Sequence, residues 1–567
     1  MKPLIREYLA SLRERDELDA ILPDLLSELG YTVLSRPARG TRQYGVDVAA
    51  IGPEEDARLH LFSIKKGDLT RSEWDNDSNQ ALRPSLNEIR DVYIPVYVPE
   101  EHRGRSIVIC LCFGGDVHEL IRATVTNYQR ENTTARVSYA EWNGDRIAGY
   151  IESGLLREGL LTREMRSSFR KAVAMVDEPD VSFSHFSALV AALLAKAAEM
   201  PVGARVTTAR QVCICLWILF VWAREAGNVE SAYLCGERAV LAVWHMFRDE
   251  MRLNRPPAAV ATAINQLCEL HFQIADELLG KLLRHASATH AISAAVGSAS
   301  PLDVNLKLFE MVGRIALRGL WLVWGEGGSS AFPTARRGDL RNARVDRIVH
   351  DLCRLVESNP ALLAPVSDDQ ATDLALAFMF MACQGSATQA LRNWVREVAR
   401  RSRYAFMVHK AYPCIYRDYR DLAGHPREAT DDYRQTATAA SVLIPTLAFW
   451  AAILRDGETT ELLAGFAKEQ LAHCALQLWL PDDATEANLY VDAEAHGAAF
   501  DGIPLGDDPQ LVLNYVLQEC GLETAYFQLS AVEFGHWPLV ALACRHYRLP
   551  VPPHLWLGFL VEPRCPI

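Results

Sequence analysis

The residues best suited to chemistry lie in one stretch, YGVDVAAIGPEEDARLHLFSIKKGD, residues 44 to 68. Asp47 stands near the start of one predicted strand and Lys65 at the end of the next, with the polar turn GPEED between them. A hairpin of this kind brings a carboxylate and an amine into one neighbourhood. Hydrolysing a phosphodiester at neutral pH requires a cation to offset charge on a phosphorane-like transition state, and a nucleophilic water made more acidic. Asp47 supplies the hard oxygen ligand that Mg²⁺ prefers. Lys65, beside the same ion, would orient or deprotonate the attacking water, because ammonium groups change pKa readily in such surroundings. Side chains two apart on a strand share a face, so Ser63 and Lys65 point together while Ile64 points to the core. Taken alone, the pair also fits a turn aspartate and a solvated lysine.

The flanking elements must position these groups. Residues 17 to 29 place Leu18, Ile21, Leu22, Leu25, Leu26 and Leu29 on one helical face, and Gly30 ends that helix. A strand at Tyr31 to Ser35 follows, then the loop RPARGTRQYG, then strands at Val46 to Ile51 and Leu59 to Lys65. A helix at Asn79 to Arg90 leads to the strand-like VYIPVYV and to an apolar strand at Ser106 to Phe113. The alternation continues through Val137 to Trp142 and Asp145 to Ser153, which makes an α/β domain with a mixed sheet. Arg36, Arg39 and Arg42 in the loop before Asp47 are candidate phosphate contacts, as are Lys66 and Arg71 after Lys65, with Trp74 extending that surface.

The order of helix, "LGY" strand, Gly-containing loop, "GVD", hairpin and "SIKKGD" resembles the PD-(D/E)XK nucleases, and within them the Mrr-like restriction endonucleases. The resemblance covers about the first 155 residues, ending in VSYAEWNGDRIAGYI, and implies a restriction-endonuclease-like α/β domain over residues 1 to 158. It implies that Asp47 is the principal metal ligand and Lys65 the catalytic lysine, with Mg²⁺ or Mn²⁺ as cofactor and DNA as substrate. It also places an acidic helix residue, Asp19, near the metal and assigns a backbone-carbonyl ligand to Ile64. The sequence departs from the pattern at Ser63, where the family usually carries Glu or Gln. A hydroxyl ligates without charge, so a weak or inactive nuclease fold stays open as an alternative, with Asp19 or Glu17 left to compensate. Asp19 equally suits the helix dipole at an N-terminus. By the same resemblance the chain would be a restriction or anti-phage defence effector, often working as a dimer.

From about residue 160 nearly every stretch has helical periodicity, including Val206 to Ala226, Ala232 to Phe247, Ala258 to Leu283, Asn305 to Trp324 and Val345 to Glu357. Residues 159 to 567 therefore read as a large all-α array or bundle that senses a trigger, binds a partner or self-assembles. Linkers are expected at Gly325 to Gly338, which could subdivide it, near Ser367, and at Leu480 to Asp508. No repeat keeps register. Trp217, Trp222, Trp244, Trp321 and Trp324 lie in apolar helical stretches and read as packing anchors.

The net charge of -13 repels a polyanion at long range, so any nucleic-acid contact must be local. Thirteen cysteines without CxxC pairs point to reduced, buried thiols in a cytoplasm. There is no HExxH, P-loop or GxSxG motif, and the N-terminus lacks a signal-peptide core. Thr436 to Leu454 is uncharged and long enough to span a bilayer, and Leu374 to Leu391 is similar. Both are diluted by polar residues and read as buried core helices, with a membrane-anchored effector as the alternative. Val212 to Ala223 is intensely apolar but too short.

Overall fold

Aliphatic runs bounded by Gly, Pro and acidic turns become the strands of a five-stranded sheet in the N-terminal unit. The computed structural model describes residues 5–6, 9–10, 18–35, 44–76, 81–154, 162–253, 256–290, 300–327, 343–426, 430–494, 496–506 and 508–560. The first helix, α1 (Asp19–Glu28), buries Ile21, Leu22, Leu25 and Leu26, and Gly30 turns the chain out of it at φ +84°. Strands β1 (Thr32–Ser35), β2 (Val48–Ile51) and β3 (Leu59–Lys65) form an antiparallel meander. Strands β4 (Ile107–Phe113) and β5 (Val137–Trp142) then add in parallel, giving the spatial order β1-β2-β3-β4-β5. The mixed sheet expected from the sequence is thus present.

Strands β3 and β4 are buried along their whole length, as central strands covered on both faces must be. Leu59, Leu61, Ile107, Ile109, Leu111 and Phe113 project to one face, where α2 (Leu82–Glu88) packs through Leu82 and Leu86 and α3 (Glu119–Asn132) through Ile121 and Val125. The opposite face carries Phe62 and Trp142, whose rings meet edge to face at 5.0 Å. Trp142 continues onto Tyr150 of α4 (Gly144–Gly154), with which α1 is also in contact.

Two departures from the expected pattern lie beside the candidate site. The VYIPVYV segment is not a strand but part of a π-helix, Ile89–Tyr97, that continues directly from α2. Its apolar residues alternate as a strand's would, yet its backbone stays helical through Pro95. Strand β2 also begins late. Val46 and Ala49 both face the α2 side although they are three residues apart, so alternation breaks just before β2.

The chain divides into two compact units, Met1–Cys235 and Gly236–Ile567, and the division falls within a long helix, Glu230–Met251. The first unit includes α5 (Arg163–Ala174), α6 (Pro179–Ala197) and α7 (Val202–Glu225) as well as the sheet. Glu28 of α1 accepts from Arg210 of α7 at 2.6 Å and from Thr207 at 3.1 Å. The second unit is helical, as expected, with two small two-stranded sheets. One of them pairs Leu478–Leu480 with Ala498–Phe500, so the stretch read as a linker at Leu480 to Asp508 is structured. Likewise Ser367 caps a turn of 3₁₀-helix, Asp368–Gln370, rather than sitting in a linker. Much of Gly325 to Gly338 lies outside the described residues.

Helix α8 (Pro301–Gly327) is crossed closely by α9 (Ala371–Ala382). A Cβ on Gly319 would stand 2.2 Å from the Phe380 ring. Buried charge accompanies this packing. Glu237 is fully buried, accepts from Arg545 at 3.0 Å and pairs with His546 at 3.0 Å. Burial alone would raise its carboxyl pKa, but these two partners hold it well below the usual range. The apolar stretch Thr436 to Leu454 is interrupted, its helix running only from Leu443 to Ile453 and almost wholly buried. Eleven residues reach about 16 Å, short of a bilayer's roughly 30 Å. Among the described residues one helix, α7, is long and apolar enough to cross a membrane, or two if the sharply bent pair Asp368–Ala382 and Gly385–Met407 is one span. Helix α7 extends the apolar run Val212 to Ala223, read as too short, to 24 residues, and 78% of its apolar window is buried. The described cysteines are free thiols.

Two outcomes follow for stability. Gly45 has φ +82°, and an added Cβ would stand 2.3 Å from the Ser85 carbonyl oxygen. Gly45→Ala should therefore destabilise the sheet unit by roughly 1–3 kcal/mol or more, read as a lowered thermal midpoint. In the second unit, burial pushes the His271 and His554 imidazoles from 6.5 down to about 4. Both stay neutral in the fold while the unfolded chain takes up protons, so their contribution to stability should be constant above pH 7 and fall steadily from pH 6.5 towards 4. Thermal unfolding followed by tryptophan fluorescence across that range checks the sign; a midpoint that rises on acidification would contradict it.

Candidate active site

Asp47 is delivered by a strained entry turn. Tyr44 takes φ +49° and Gly45 φ +82°, and Gly45 presses on the Ser85 carbonyl and the Ile89 side chain at the α2/π-helix junction. The Asp47 amide donates to the Phe62 carbonyl at 2.8 Å. Its carboxylate Oδ2 accepts from the Ile64 amide at 2.7 Å. The Asp47 carboxylate therefore lies against the β3 backbone between Ser63 and Lys65. This is the segment that sequence spacing paired with it.

Ser63 and Lys65 are opposite Leu111 and Phe113 in the parallel register, so both point to the face that α2 covers. They are 1% and 5% exposed, which means the lysine is held within the protein and not solvated at a strand end. Ile64 points to the other face, as expected. In the β2/β3 register, with Ala49 opposite Leu61 and Val48 opposite Phe62, Asp47 comes next opposite Ser63, where the chain bends. Beyond Lys65 the chain is pinned to the next strand: Gly115 donates to the Gly67 carbonyl at 2.9 Å, and Asp116 donates to Asp68 Oδ1 at 2.8 Å.

The other expected site residues separate into groups. Asp19 opens α1, on the side of the sheet where α1 meets α4, away from the Ser63 and Lys65 face. There its charge suits the helix N-terminus. Lys66 and Arg71 are exposed and available to a polyanion. Trp74, expected at that surface, is buried instead, edge to face with Tyr128 at 5.4 Å. Arg36, Arg39, Arg42 and Glu17 lie outside the described residues.

The donor set near Asp47 is small. Among the described residues no three His, Cys, Asp or Glu side chains group as a metal site. One carboxylate with a neighbouring hydroxyl fits an ion such as Mg²⁺, which keeps several waters and completes its shell with substrate phosphate. It does not fit a fully protein-caged cation.

Two features escaped sequence reasoning. One is an aromatic stack beside the entry turn. Tyr44 and Tyr97 lie 4.6 Å apart at 25°, and Tyr97 and Tyr93 lie 6.0 Å apart at 27°. The other, in the second unit, is a cavity of about 260 Å³ of mixed lining that includes Asp369, Arg417, Ser441, Gln477 and Arg548 beside Ile415 and Val442. Arg548 takes φ +57° there and pairs with Asp369 and Asp373, each at 2.8 Å. An unusual backbone angle in a non-glycine residue would have needed coordinates to find. No protein-family model, curated protein or solved structure matches this chain.

Proposed function

We propose that the α/β head is a metal-dependent nuclease of the PD-(D/E)XK type acting on DNA, with the helical remainder sensing a trigger or partner. The observation that carries this reading is the Asp47 carboxylate resting on the β3 backbone between Ser63 and a buried Lys65. A divalent cation, held by Asp47 with Ser63 and the Ile64 carbonyl, would supply positive charge against the scissile phosphate. Lys65 orients the attacking water and, as a cation, favours the phosphorane-like charge that builds beside it. Asp47 holds the end of β2 where phosphate must approach, and Lys66 and Arg71 give nearby phosphates a local counter-charge. The cavity lined by Asp369, Arg417 and Arg548 gives the sensing function a recess within the second unit. A role in antiviral defence, dimerisation and a cytoplasmic site of action belong to the same proposal and rest on the resemblance alone.

A second reading has its own observation. The Asp47 carboxylate is already engaged by the Ile64 amide, and Ser63 brings no charge, as suits a head that binds nucleic acid or protein without cutting it.

Plasmid cleavage separates the two. The intact protein should nick or linearise DNA with Mg²⁺ or Mn²⁺ and not with EDTA, and Asp47→Ala or Lys65→Ala should slow cleavage by about 100-fold or more. Equal cleavage by these variants and the parent would discard the catalytic assignment. A parent with no activity, but with undiminished DNA affinity, would favour the scaffold. Ser63→Glu should lower the Mg²⁺ concentration needed for half-maximal rate, since it adds the formal charge this chain lacks.

A further inference from the structure

We infer that the cavity beside Arg548 in the second unit binds a small organic oxyanion, a carboxylate or phosphate monoester on an apolar body, which Arg417 captures; any role of that ligand as a trigger rests on the sensing reading above, while the binding does not. Space is the first support. The recess measures about 260 Å³. One water needs roughly 10–15 Å³ of such space, so a small organic molecule fits and not only an inorganic ion. It is open to solvent, since 62% of the Arg417 side chain is exposed and Ile415 on its wall is 39% exposed.

Hydrogen-bonding capacity is the second support. The lining carboxylates are engaged. Asp368 accepts from the Ser441 hydroxyl at 2.6 Å and from the Val442 and Leu443 amides at 2.7 and 3.1 Å, at the start of the helix Leu443–Ile453. Asp369 holds Arg548 at 2.8 Å and faces Arg417 with its other oxygen at 3.3 Å. Arg548 is engaged as well, by Asp369 and by Asp373 behind the wall. What stays unused is on donors. A guanidinium carries five N–H groups, and Arg417 turns only its Nε to Asp369; among the described residues neither of its amino groups has a partner. Gln477 donates its backbone amide to the Ser441 carbonyl at 3.0 Å, while its side-chain amide has no partner among the described residues.

A free guanidinium fork matches an oxyanion bidentately, and the Gln477 amide adds a donor and an acceptor for a polar substituent. A cation would find each lining carboxylate already engaged. Asp368, Asp369 and Asp373 outnumber the two guanidiniums, so an anion is recognised by contact with the fork and not drawn in by the field at long range. Ile415, Val442 and Pro550 supply the apolar wall. An inorganic ion would leave that wall wet, whereas a hydrocarbon body covers it. Taking up the ligand detaches Arg417 from Asp369 and leaves both pairs of Arg548 in place, so occupancy does not dismantle the buried network.

The test uses the full chain and ligand-observed saturation-transfer NMR. Phenyl phosphate, benzoate, benzamide and benzylamine present one ring with two anions, a neutral amide and a cation. At least one of the anions should bind with a Kd on the order of 1 mM, expected for so small a probe, with benzamide weaker and benzylamine silent. The tighter anion shows which oxyanion the fork accepts. Arg417→Ala should weaken anion binding roughly 5- to 50-fold with an unchanged thermal midpoint. Arg417→Lys should restore only part of it, because it returns the charge without the fork. No binding of either anion by the parent, equal binding of benzylamine, or undiminished binding by Arg417→Ala overturns the inference. Inorganic phosphate that displaces the bound probe as well as added phenyl phosphate does would also overturn it. Binding is read without cleavage, so failure here leaves the nuclease reading standing, and a head that does not cut leaves this inference standing.

Discussion

One hydrogen bond organises the head: the Ile64 amide to the Asp47 carboxylate. A β-strand amide at this position would ordinarily bond to a neighbouring carbonyl, but β2 starts only at Val48. Asp47 supplies the missing acceptor with its side chain. The hairpin thereby stays closed at the end where the chain has to swing out towards Tyr44, and a charged group is held at the end of β2. Stability, and the chemistry proposed for this site, draw on the same carboxylate. That double use explains why the residue is fixed in place before any ligand arrives, since an amide–carboxylate bond is stronger than a neutral one.

The elements were largely legible because periodicity decides them. The β3 sequence LHLFSIK is apolar enough to be central, and α1 shows its leucine face directly. What could not be read were places where a local pattern had two solutions. VYIPVYV alternates like a strand, and nothing in the residues says that α2 would continue through it with a wider turn. GVDVAA reads as smooth alternation, yet Val46 and Ala49 face the same way, so the break just before β2 was beyond sequence reasoning. Lys65 and Ser63 were correctly placed together, since only spacing along one strand was needed.

The second unit was legible in type and opaque in detail for a different reason. Charged residues in amphipathic helices look like a solvated face. Glu237 and Arg314 are instead fully buried, and Glu237 finds Arg545 at a separation of 308 residues. Such pairs cost desolvation and contribute mainly specificity, since only one arrangement of the helices satisfies them. The cavity beside Arg548 grows out of the same network, because Asp369 and Asp373 both hold that guanidinium. No local sequence feature marks it.

The contact of Glu28 with Arg210 and Thr207 bears on how this molecule may be dissected. A fragment cut where the alternating pattern ends, near residue 158, would carry α1 without the helix that α1 leans on. Glu28 would lose its guanidinium, and apolar surface would open to solvent. A fragment ending at Cys235 keeps that buttress. Insolubility of the shorter fragment would then reflect where the knife fell, not whether the head is an independent enzyme.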